Sequence, residues 1–322
     1  LDNRVPRRDY ERKKIEDMSP RTTKNASFIH HALLRQRPGL KFSGGLRRGA
    51  FFRKSLGVMK KQVKLFDQIS LSDHCKSIIC GTLLGDGCLQ IAKGYKNARL
   101  SIRHSQVQRE YFDWKIANLK EIASPKSVQI SKASGYSKNT KFLFQSASLP
   151  ELTLMYNLTY KKKRLCIRRR WLNKLTPLSL AIWWCDDGSI IGNPPRRGVL
   201  CTDGFDEKSV RMLARYLEKV WALKAHVGAI RRDRKYGNYT KKEYFRLWFS
   251  TKELKKWLRI ILPHIPVASM VCKTRLIYKD SQFQQRWISE QCSALPQFTN
   301  EIEELYILKR KQNIDSENDI VQ

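Results

Sequence analysis

The chain has 322 residues and a hydrophobic fraction of 41%, enough to build a sizeable core in one to three domains. Its 63 Lys+Arg against 29 Asp+Glu leave a formal charge of +34, which self-repels unless a polyanion neutralises it, and nucleic acid is the usual polyanion. No apolar run approaches the roughly 18 residues of a membrane span, so no membrane partner is expected, and no secretory signal is visible.

Residues 1–60 show little periodicity and carry 16 basic and 5 acidic residues, which predicts an extended basic arm that is disordered when isolated in water. Asp2, Asp9, Glu11, Glu16 and Asp17 make the segment a poor intact transit peptide, a class that is poor in acids. Residues 61–290, with 44 basic and 18 acidic residues, are strongly basic in their own right. The eight cysteines form no CxxC pair and read as buried thiols in a reducing compartment, and the six histidines form no spacing that marks a site.

The first predicted element is an apolar helix capped by Ser72 that ends at Gly85-Asp86-Gly87. An alternating strand follows, with Arg99, Ser101 and Arg103 on one side and Leu100 and Ile102 on the other. Ser105 is read as the cap of a helix whose apolar stripe is Tyr111, Trp114, Ile116 and Leu119. Lys141 precedes the strand Phe142-Leu143-Phe144, which leads to a capping box at Ser148-Leu149-Pro150-Glu151. The runs Lys161-Lys162-Lys163-Arg164 and Arg168-Arg169-Arg170 come next, suited either to holding phosphates or to serving as a charged linker.

Beyond them the pattern repeats. Thr176-Pro177 supplies a cap and a proline at the first helical position, and the apolar helix ends at Asp186-Asp187-Gly188. The strand Val199–Thr202 leads to a helix capped by Asp206 with the stripe Val210, Leu213, Leu217 and Val220. Arg231, Arg232, Arg234 and Lys235 are expected on a hairpin loop, and Arg246 and Trp248 alternate against Phe245, Leu247 and Phe249 before a second capping box at Ser250–Glu253. Offsets of 101 from Asp86 to Asp187, 101 from Ser105 to Asp206 and 102 from Ser148 to Ser250 indicate an internal duplication. The resulting division is an arm over 1–60, a first half over 68–165, a second over 166–285 and a C-terminal helix and tail over 286–322. Trp183 and Trp184 read as core residues.

The repeated helix ends carry the chemistry. Small residues let two such helices approach closely, and the glycine after each acid is expected to supply a left-handed turn. Acids are disfavoured at a helix C-terminus, where the macrodipole is already negative. Two such ends side by side concentrate carboxylates that a divalent cation relieves, giving a site for phosphodiester chemistry. Arg and Lys on the strand faces suit phosphate contacts or guanine edges.

The motifs Ile79–Gly87 and Leu180–Gly188 resemble those of the LAGLIDADG homing endonucleases, in the subgroup with Leu-Leu-Gly-Asp-Gly first and Trp-x-x-Asp-Asp-Gly second. Asn97–Ser101, Leu175–Ala181, Ile265-Pro266 and Ser269–Lys273 extend the similarity over roughly 68–280. The resemblance implies an α+β fold of two αββαββα halves related by a pseudo-twofold axis, each with a saddle-shaped antiparallel sheet for a DNA major groove. It implies Asp86 and Asp187 as catalytic and metal-binding acids, with Mg²⁺ or another divalent cation as cofactor and Asp186 supporting the turn. Lys273 and Arg164 fall at the positions of the basic residues beside the scissile phosphates, Arg164 where Lys is usual. Arg99, Ser101, Arg103, Lys141, Lys163, Arg231, Arg232, Arg234 and Arg246 become the nucleic-acid-binding residues.

Two functions remain open at this point. One is a monomeric endonuclease that cuts double-stranded DNA at a specific site. The other is an RNA-binding derivative, an intron-splicing maturase or an organellar ribosome component bound to rRNA, to which the basic arm and Arg164 point. Both carry the expectation of an organellar location, a mitochondrion ahead of a chloroplast.

Overall fold

The structure, a computed structural model, describes residues 66–131, 140–232 and 242–307. The expected arm over 1–60, Arg234 and Lys235 lie outside the described residues.

Helix α1 (Asp73–Leu84) starts where Ser72 Oγ accepts from Cys75 N at 3.1 Å. From Cys75 to Leu84 every residue is buried, Lys76, Ser77 and Thr82 included, so α1 is enclosed on all sides rather than along one stripe. It leads into β1 (Gly87–Gln90), β2 (Arg99–Ser105), α2 (Arg109–Asn118), β3 (Val128–Ser131), β4 (Lys141–Gln145) and α3 (Pro150–Thr159). The sheet is antiparallel, in the order β1-β2-β4-β3, with Ile102 opposite both Gly87 and Phe144.

A two-residue hairpin of β5 (Tyr160–Lys161) and β6 (Arg164–Leu165) and the short α4 (Arg169–Leu172) connect to the second half. That half comprises α5 (Pro177–Asp187), β7 (Gly188–Ile191), β8 (Arg197–Leu200), α6 (Glu207–Trp221), β9 (His226–Arg232), β10 (Lys242–Phe249) and α7 (Thr251–Ile261). Its sheet repeats the first in the order β7-β8-β10-β9. Both halves are therefore αββαββα. A 3₁₀ stretch (Ala268–Thr274), α8 (Ser281–Ala294) and helical residues 299–307 follow. No helix among the described residues is long and apolar enough to cross a membrane.

The halves join where α1 packs along α5. A Cβ at Gly81 would lie 2.4 Å from Ser179 O and 2.8 Å from Ile182 Cβ, so only glycine permits this approach. Ser179 Oγ donates across the seam to Ser77 O at 2.8 Å. Trp183 and Trp184 are fully buried core residues, packed with Trp257 of α7.

Several local expectations are corrected. Ser148 does not cap α3: the cap position is Leu149, and Ser148 Oγ instead donates to Asn97 O at 2.6 Å. Ser105 makes no capping bond and precedes a 3₁₀ turn. At α7 only half of the box forms, because Ser250 Oγ accepts from Glu253 N while Glu253 turns to Lys224 N. The glycines after the acids are not left-handed. Gly87 and Gly188 are needed for space, since a Cβ would lie 2.3 Å from Thr82 Cγ2 and 2.3 Å from the Trp184 ring respectively. Val220 is 47% exposed rather than part of the core stripe. Cys75, Cys80 and Cys185 are buried, but Cys88 and Cys272 are exposed.

Candidate active site at the paired helix ends

The adjoining C-termini of α1 and α5 bring Asp86 and Asp187 into one electrostatic neighbourhood. Burial, and then Asp186, push the Asp86 carboxyl up to about 6, against the pull of Lys115 and Lys273. Burial, and then Asp86 and Asp186, push Asp187 up to about 8, again against Lys273. Each acid thus holds its proton more tightly than an exposed carboxyl because its neighbours are acids in a poorly solvated place. A cleft of about 900 Å³ opens here, with Gly85, Cys88, Arg164, Asp187, Asp203 and Phe245 among its walls.

Lys273 Nζ donates to Cys185 O and, at 3.3 Å, to Asp186 O, so its charge lies on the last carbonyls of α5 where the macrodipole favours a cation. Its own carbonyl accepts from Trp184 Nε1 at 2.8 Å. The Lys273 backbone is further anchored through Thr274, whose carbonyl accepts from Trp287 Nε1 and Gln291 Nε2, both at 3.3 Å. Tyr306 OH donates to Gln291 Oε1 at 2.6 Å, so the C-terminal helices brace the lysine.

Asp186 does more than support a turn. Its side chain is wholly buried and takes Lys115 Nζ at 2.7 and 3.0 Å, Tyr111 OH at 2.8 Å and Asp86 N at 3.2 Å. All three donors belong to the first half, so the carboxylate crosses the seam. It fits because its counterpart in the first half is Gly85, where a Cβ would lie 2.4 Å from Asp186 Cβ.

Lys115 and His104 are the residues that sequence reasoning missed. His104 is buried, with Nδ1 3.1 Å from Gln108 Oε1 and 3.7 Å from Asp86 Oδ2. Burial, and then Lys115, lower its pKa to about 4, which keeps it neutral near pH 7. A signal existed: the inward series Leu100, Ile102 continues to His104, because β2 runs to Ser105. Lys115 gave no such signal, since its stripe reads as an ordinary amphipathic helix.

Asp86, His104 and Asp186 present ligand-type atoms within 4.8 Å of one another. A cation held by all three would sit against the Lys115 ammonium, which already neutralises Asp186. Asp86 and Asp187 form a second acidic pair beside this group, in which Asp86 helps raise the Asp187 carboxyl while Lys273 pulls both acids back.

The remaining predicted residues divide by location. Arg99, Ser101 and Arg103 lie on the outer face of the first sheet, with Leu100 and Ile102 buried beneath. Ser105 pairs with Lys141 and Ser101 with Gln145, which puts Lys141 on that same face. Arg99 stacks over Tyr95, its guanidinium carbon 5.8 Å from the ring centroid. Arg164 is exposed at the cleft, and Lys163 is exposed at the tip of the β5–β6 hairpin. Arg231 pairs with Glu243 at 2.8 Å, and Arg232 closes β9. Arg246 is not a free contact: its guanidinium closes on Asp203 with two bonds of 2.6 Å, and its side chain is 12% exposed.

A family model described as the LAGLIDADG DNA endonuclease family matches residues 76–257. A curated relative, Protein RecA of Mycobacterium gastri, is 34% identical over 209 residues, 61% of this chain and 46% of that protein. Protein RecA of Mycolicibacterium flavescens is 27% identical over 207 residues, 61% of this chain and 45% of that protein. The chain thus spans a little under half the length of these relatives. Among solved structures, the homing endonuclease I-WcaI bound to its DNA recognition sequence is similar with a TM-score of 0.55 at 19% identity, over 69% of this chain and 93% of that one.

Proposed function

Because the chain belongs to the LAGLIDADG DNA endonuclease family, we propose that it binds double-stranded DNA and cuts both strands at a specific site with a divalent metal. The observation that carries this reading is the pairing of Asp86 and Asp187 at adjoining helix ends, each pushed up by burial and by neighbouring acids.

In this reading Asp86 and Asp187 hold the cation, Mg²⁺ or a close substitute. When bound, it offsets the carboxylate charge, polarises a phosphate oxygen and lowers the pKa of a water. Lys273, fixed on the α5 carbonyls, places a cation beside both acids. Arg164 balances phosphate charge from the cleft wall; it does not deprotonate in proteins, so it serves as an electrostatic partner and not as a proton carrier. Asp186, locked by Lys115 and Tyr111, fixes the backbone at Asp86. Arg99, Ser101, Arg103 and Lys141 form a polar outer face that lies against the duplex.

The test is cleavage of a randomised duplex library with Mg²⁺, read by sequencing of the ends. Cuts at one defined site, lost in Asp86→Asn and Asp187→Asn, are expected. No cleavage, with tight binding to structured RNA that survives both substitutions, would overturn the proposal in favour of the RNA-binding derivative.

A further inference from the structure

The β5–β6 hairpin between the halves is as short as a hairpin can be. Tyr160 pairs with Leu165 and Lys161 with Arg164, leaving Lys162 and Lys163 as the two-residue turn. Both lysines take left-handed backbone, with φ of 49° and 63°. Such a turn favours Asn-Gly, because a Cβ at positive φ crowds the backbone. Two long cationic side chains at these positions work against the stability of the hairpin, and strain of this kind collects at functional sites.

The base of the hairpin is rigidly held. Tyr160 OH accepts from Leu89 N on the outer edge of β1 at 3.0 Å, and its ring stacks on Tyr156 at 4.6 Å. Cys166 N donates to Thr159 O at 2.8 Å just beyond β6. Tyr160, Arg164 and Leu165 also line the cleft that contains Asp187. Among the described residues, no carboxylate pairs with any of residues 161–164, all of which are exposed. Burial, and then Arg168, hold the Arg170 guanidinium below its ordinary value, so positive charge is crowded along the connector.

We propose that the Lys162–Lys163 tip is a preorganised clamp for the phosphate backbone of duplex DNA, a contact outside the two sheet faces and next to the cleft. The left-handed turn fixes the backbone of both lysines and the directions in which their stems leave it, so less backbone ordering is lost on binding. The inference rests on the duplex-binding reading above. A rigid, cation-tipped hairpin suits a regular array of phosphates, and phosphate contacts set position and salt dependence rather than sequence choice.

The experiment measures affinity of the full chain for a random-sequence 40-base-pair duplex across a series of salt concentrations, together with thermal melting. Lys162→Asn/Lys163→Gly replaces the strained pair with the favoured turn. It is expected to raise the melting temperature by about 2–5 °C. It is also expected to weaken binding at 0.15 M salt on the order of tenfold and to lower the salt slope by about 2, one per lysine. Lys162→Gln/Lys163→Gln removes the charge but keeps the strain, so it loses the same affinity without the gain in melting temperature. An unchanged affinity and slope in both variants, with the parent chain binding the duplex, overturns the clamp alone. Failure of the parent chain to bind any duplex overturns the duplex reading and the clamp with it.

Discussion

Replacing Lys115 by Met tests whether the Lys115–Asp186 pair locks the two halves together. Both side chains are fully buried, with Nζ 2.7 and 3.0 Å from the two carboxylate oxygens. Methionine matches the length of the lysine stem but leaves the Asp186 charge with only Tyr111 OH and Asp86 N as partners. Removing one member of a buried pair costs about 3–5 kcal/mol, because the other charge stays buried and unpaired. At about 2–4 °C per kcal/mol for a domain of this size, the melting temperature falls by roughly 6–20 °C. Lys115→Met/Asp186→Asn removes both charges and is expected to recover most of the loss, giving a coupling of at least about 2 kcal/mol in a double-mutant cycle. The assay is urea unfolding of the four proteins, followed by circular dichroism and tryptophan fluorescence. A loss under about 1 kcal/mol for Lys115→Met, or strictly additive single effects, would refute the reasoning.

Asp187→Asn is expected to stabilise the metal-free protein in a pH-dependent way. The folded chain keeps a proton on Asp187 up to about pH 8, whereas the unfolded chain releases it near 3.8, so this group lowers stability progressively as pH rises between those values. The gain in the variant is absent near pH 4 and grows to roughly 2–4 kcal/mol at pH 8.5, after allowance for partial solvent access; urea melts in EDTA across that range measure it, and a gain independent of pH would contradict the assigned cause. Adding Mg²⁺ raises the stability of the parent chain at pH 8.5 more than that of the variant, readable as a difference in melting shift. Gly81→Ala places a methyl group against Ser179 O and Ile182, and overpacking of this kind costs about 1–3 kcal/mol by the same melts. Tyr306→Phe leaves Gln291 Oε1 without its buried donor, costing about 1 kcal/mol. If the C-terminal helices position Lys273, the same variant also lowers the single-turnover cleavage rate while leaving duplex affinity unchanged; a parallel loss of both would point to general loosening instead.

The sequence by itself determined the duplication, the two acid-ended apolar helices and the polar side of β2, because these follow from period and repeated motifs within single elements, while the αββαββα order came with the family resemblance that those motifs carry. Residues such as Leu100, Ile102, Leu213 and Leu217 reveal their burial locally, and Asp206 and Thr176 mark helix starts through bonds to residues a few positions away. Features that depend on a neighbour far along the chain were decided only by the tertiary structure. Ser148 looks like a cap until Asn97 offers it another partner, and Arg246 looks like a free strand arginine until Asp203 meets it. Lys115 and Asp186 stand 71 residues apart, and nothing in either local pattern predicts that they neutralise each other in the core. That pairing exists because Gly85 leaves room at one helix end for the acid of the other, so the asymmetry of the site is a property of the packed seam rather than of either motif.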